Sequence, residues 1–96
     1  MDNIVEYPID GVLDLHQFNP KDIKSLIYEY LLECKKRGIF RVRIIHGKGK
    51  GVLKQITHNT LEKIEFVDYY QLASEDNSSW GATIVFLRKN YNAEHE

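Results

Sequence analysis

Asp14 and His16 stand two residues apart in Leu13-Asp14-Leu15-His16. A carboxylate beside an imidazole fixes the ring's tautomer and favours its charged form, which is what a general acid or base needs. Thirty residues on comes His46-Gly47-Lys48-Gly49-Lys50-Gly51. Glycines let a backbone approach a phosphate closely, and the lysines add charge. A helix start just beyond would supply unpaired N–H groups and the positive end of a dipole. The spacing fits neither the nucleoside triphosphatase loop nor the dinucleotide fingerprint, so the chemistry indicated is anion holding without those folds. Each cluster also has a plainer reading, a polar strand end for Asp14 and His16 and a flexible surface turn for the glycines. Elsewhere the signals are sparse. Cys34, His58 and His95 lack metal-ligand spacing, no carboxylate cluster is placed to hold two divalent ions, and no cofactor motif is present. Ser25, Ser74, Ser78 and Ser79 have no nucleophile setting. Trp80 could stack on a base, although aromatic residues in strands are more often core.

These residues need elements to place them. Residues 1–10 read as a lead-in with an edge strand through Ile4-Val5, and 11–16 as a short strand closed by His16. Asn19 can cap, Pro20 suits a first helical position, and Ile23, Leu26, Ile27, Tyr30, Leu31 and Cys34 recur at helical spacing. Lys35, Lys36 and Arg37 suit the negative helix end and Gly38 its stop, which predicts a helix over 20–37. The β-branched, aromatic run at 39–45 predicts a second strand, parallel to the first across the crossover and closed by His46. Both histidines are thus expected at one rim, with Asp14 and His16 on one face of their strand because side chains alternate with period two. A second helix follows over 51–63 from Val52, Leu53, Ile56, Leu61 and Ile64. After it come an extended segment at 65–73, a polar turn at 74–79, a last strand at 81–87 and a frayed tail at 89–96. The order is βαβαββ, a four-stranded mixed sheet with two helices and an antiparallel hairpin at one side.

Ninety-six residues make one domain, and no window approaches the roughly 18–20 apolar residues of a membrane span. The first fifteen residues hold Asp2, Glu6 and Asp10 and lack a signal peptide's pattern, and the lone Cys34 has no internal disulfide partner. A cytoplasmic monomer is the default expectation. The formal net charge of −1 seems to discourage a phosphate-bearing partner. Placed along the chain, however, eight of the thirteen basic residues lie between Cys34 and Leu61, where there is no acid at all.

Three elements together resemble one family, the small MutS-related (Smr) domain. Leu13-Asp14-Leu15-His16 is similar to its Leu-Asp-Leu-His-Gly motif, Ile45-His46-Gly47-Lys48-Gly49 to its Thr/His-Gly-x-Gly motif, and Trp80-Gly81-Ala82-Thr83-Ile84-Val85 to its closing strand. The resemblance covers residues 11–88. It implies an α/β sandwich like the C-terminal domain of translation initiation factor three. It also implies nucleic-acid binding with endonuclease activity on DNA or RNA, in some members at ribosomes. Gln17 stands where the family has glycine after the histidine, and Trp80 where a glycine usually precedes Gly81.

The leading expectation is a metal-independent endonuclease. In it His16 exchanges protons, Asp14 orients it, His46 is the second acid or base, and Arg43, Gly47, Lys48, Gly49, Lys50, Gly51 and Lys54 hold the phosphate. The rival expectation is a non-cleaving module for structured DNA or RNA in repair, recombination or ribosome rescue, using the same loop.

Overall fold

The computed structural model describes residues 8–47, 51–73 and 81–89. β1 (Val12–Asp14) and β2 (Arg41–Ile45) run parallel with Asp14 opposite Ile45. α1 (Ile23–Lys36) connects them, and α2 (Val52–Leu61) leads to β3 (Val67–Leu72) and β4 (Ala82–Leu87). The sheet order is β1-β2-β4-β3. β4 thus inserts antiparallel between β2 and β3, and the expected hairpin forms one side of the sheet.

Pleating sends Leu13, Val42, Ile44, Val85 and Leu87 to one face, where they share a core with Ile23, Ile27, Leu31 and Cys34 of α1 and Leu61 of α2. Burial of this apolar stripe, worth roughly 1.5–3 kcal/mol per large side chain, is what holds a short helix in place. α1 ends as its sequence indicates. Gly38 has φ +79°, its N–H donates to Lys35 and the Ile39 N–H donates to Cys34, the paired bonds of a left-handed helix stop.

The largest departure from expectation is at the start. β1 stops at Asp14, and Leu15–Gln17 form a 3-10 turn, so His16 does not continue the strand. The physical reason is local, because the Asp14 carboxylate accepts the His16 N–H and caps that turn. Similarly, Asn19 accepts from the Lys21 N–H and starts a 3-10 turn over Pro20–Asp22, so the α-helix proper begins at Ile23. α2 occupies 52–61 within the expected 51–63. The lead-in strand at Ile4-Val5, the polar turn at 74–79, Trp80 and the tail from 90 lie outside the described residues.

Candidate functional site

Two strand ends meet at one rim. Asp14 Oδ1 accepts the His16 backbone N–H at 2.9 Å and lies 2.6 Å from His16 Nδ1. The two side chains therefore come together through a capped turn and not through strand alternation. The backbone N–H is the chief reason that the Asp14 carboxyl lies below its ordinary range. Partial burial opposes it, and the bond and charge of the His16 ring assist. A carboxylate only accepts, so Nδ1 carries the hydrogen and the neutral ring keeps its lone pair on Nε2. The ring is about half exposed, at 55%.

Nε2 is turned toward the second strand end. A Cβ built on Gly47 would sit 2.7 Å from it, so the ring occupies space that only a glycine leaves. The histidine and the start of the glycine loop thus form one site. The Gly47 N–H, expected among the amides holding a phosphate, instead donates to the Gly81 carbonyl at 2.8 Å, as does the His46 N–H. Gly47 contributes room and not a donor.

His46 turns inward. Its side chain is buried, with Nδ1 3.1 Å from the Gly47 carbonyl and Nε2 2.8 Å from Thr83 Oγ1. Burial holds its pKa below the usual imidazole range. The Gly47 bond opposes that shift, and the charges of Lys54 and His16 add to it. Thr83 Oγ1 has a second imidazole at 2.8 Å, His58 Nε2, from α2. His58 is likewise held low, first by burial and then by the charges of His46 and Lys54, with Glu62 opposing. Its ring lies 4.6 Å from that of Tyr70. The Tyr70 hydroxyl donates to Glu62 at 2.6 Å, which pushes its pKa up to about 12. Nothing in the spacing of His58 marks it, beyond its place on the helix stripe with Lys54 and Leu61.

Arg43 is half-buried in β2, two positions before Ile45. Gly51 opens α2 with φ +86° and open space where a Cβ would stand, and Lys54 lies in the first turn, close enough to bias both His46 and His58. Lys48, Gly49 and Lys50 lie outside the described residues. Among the described residues no group of three or more His, Cys, Asp or Glu is placed to hold a metal ion, and no helix is long and apolar enough to cross a membrane.

A family model described as "Smr domain" matches residues 13–88. Among curated proteins, "Endonuclease MutS2" of Carboxydothermus hydrogenoformans is 34% identical over 76 residues, 79% of this chain and 10% of that protein. "Endonuclease MutS2" of Thermomicrobium roseum is 36% identical over 79 residues, 82% of this chain and again 10% of the relative. The chain therefore spans about a tenth of the length of these relatives. Among solved structures, the Smr domain of Thermus thermophilus MutS2 superposes with a TM-score of 0.75 at 26% identity, over 82% of this chain and 99% of that one. YdaL, a stand-alone small MutS-related protein from Escherichia coli, shares the fold with a TM-score of 0.76 at 24% identity, over 88% of this chain and 69% of its own.

Proposed function

The chain belongs to the Smr domain family, and from that premise we propose that it is a nucleic-acid endonuclease whose phosphodiester chemistry is carried by His16. The observation that supports this most is the Asp14–His16 pair with Nε2 set over Gly47, the residue that precedes Lys48 in the sequence. On RNA, Nε2 takes the proton of a 2′-hydroxyl as that oxygen attacks phosphorus. The same ring then returns the proton to the departing 5′-oxygen as the P–O bond breaks, leaving a cyclic phosphate. Asp14 keeps Nδ1 protonated throughout and stabilises the imidazolium between the two transfers. Lys48 and Lys50, together with Arg43 and Lys54, offset the charge that develops on the phosphoryl oxygens. On DNA a water must be the nucleophile, a harder task for the same groups. Neither course requires a metal.

Labelled single-stranded RNA, duplex DNA and branched DNA, each incubated with native protein and with His16→Ala in EDTA and in magnesium, test the assignment. Cleavage in EDTA that disappears with His16→Ala is expected. Equal cleavage by both proteins, or none by the native one, removes His16 from the chemistry. The burial of His46, which leaves the rim with one exposed imidazole, favours a second reading as a non-cleaving binding module. In both cases replacing Lys48 and Lys50 by Ala lowers affinity and flattens its salt dependence by about one to two units of slope.

A further inference from the structure

Thr83 Oγ1 has one proton to give, and two imidazole nitrogens, of the buried His46 and the half-buried His58, lie 2.8 Å from it. Which of them receives it is decided at the far side of His46. The Gly47 carbonyl can only accept, so His46 Nδ1 is the donor there and His46 Nε2 carries the lone pair. The Thr83 hydroxyl then donates to His46 Nε2, and His58 must donate its Nε2–H to Thr83 Oγ1. The bonds run in one direction, from His58 through Thr83 and His46 to the carbonyl of Gly47, and a chain with one direction strengthens each member. At its end is the peptide whose missing Cβ makes room for His16 Nε2.

We propose that His58 and Thr83 are positioning residues for the cleavage reaction: they hold His46 in its Nδ1–H tautomer and, through it, hold the Gly47 peptide in the orientation that seats His16. The assignment rests on His16 being the acting group, while its geometric half stands independently of activity. The register of the sheet supplies Thr83 on the helix-facing side of β4, opposite Ile44 of β2. α2 supplies His58, kept in place by the Tyr70 ring. Three separate elements thus converge on one hydroxyl.

Nitrogen-15 NMR of the histidine rings, together with cleavage rates across pH, tests the proposal. Native protein is expected to show His46 protonated on Nδ1 and His58 on Nε2. Thr83→Val, close in shape, should mix the His46 tautomers, shift the His16 ring signals and lower cleavage by about 10- to 100-fold, the cost of misplacing an acting group by about an ångström. Thr83→Ser should restore both readouts, and His58→Phe should disturb the tautomer while keeping a ring against Tyr70. An Nε2–H tautomer for His46 in the native protein overturns the proposal whether or not any variant folds. So does a Thr83→Val protein that cleaves as the native does. A native protein with the expected tautomers and no cleavage on any substrate leaves the hydrogen-bond chain standing and removes the role of His16, so the two failures are distinct.

Discussion

Gly47 is required on two independent grounds. Its φ of +86° is a conformation that a side chain makes unfavourable by roughly 1–2 kcal/mol, and its Cβ position is 2.7 Å from His16 Nε2. Gly51 has the same φ and nothing within 4 Å, so it shares the first ground only. Gly47→Ala and Gly51→Ala are therefore expected to lose comparable thermal stability, about 1–2 kcal/mol. Only Gly47→Ala should move the His16 ring resonances and abolish cleavage. Equal effects on His16 from both variants would mean that backbone strain, and not the close approach, governs the site. At this scale the pairing of Asp14 with His16 was legible from two positions in the chain, but the local structure behind it was not. A capping carboxylate competes with the strand ladder, and alternation alone does not reveal which prevails. Thr83 and His58 were invisible, since they meet 25 residues apart through a strand register that no local pattern encodes.

β1 has three residues, too few to be held by its pairing alone. Tyr30 of α1 secures it, accepting the Gly11 N–H and donating to the Val12 carbonyl, each at 3.1 Å. Tyr30→Phe keeps the ring and deprives the buried Gly11 N–H and the part-buried Val12 carbonyl of their hydroxyl partner, a loss of about 1–3 kcal/mol. The urea midpoint should fall with an unchanged denaturant slope, and amide exchange should quicken at Leu13 to His16 more than in β4. Uniform quickening across the sheet would show that Tyr30 supports the whole core and not the strand that carries Asp14. The helices were legible because Ile23, Ile27, Leu31 and Cys34 mark one side of α1 and Gly38 its end, signals contained within a few turns. β4 was legible as a strand, and its burial on nearly every residue marks it as central. Its place between β2 and β3 depends on pairing across the chain, which its own composition does not specify.

Over the whole molecule the proton is the most informative ligand, because His46 with His58, Asp14 and Tyr70 open three separate pH windows. His46 and His58 are held below the ordinary imidazole value of 6.5. Between that value and their folded ones the unfolded chain binds more protons than the folded chain. Stability is therefore fully present above pH 6.5 and declines as the pH falls below it. The groups facing the pair reinforce this: Lys54 opposes a further positive charge on either ring, His16 on His46, and only Glu62 favours one on His58. Asp14, lowered from 3.8, adds stability that is lost only as pH falls through its folded value, well below the histidine window. Tyr70, raised from 10.0 to about 12, contributes at the other extreme, where stability declines as pH rises through that range. Urea midpoints measured from pH 8 to pH 5 should accordingly fall below about pH 6.5, and His58→Phe should flatten that fall by removing one of its two titrating rings. A flat native profile in this interval would show that the two rings take up protons without disturbing the fold, and that the hydrogen-bond chain joining α2 to the glycine loop tolerates the charge its burial opposes.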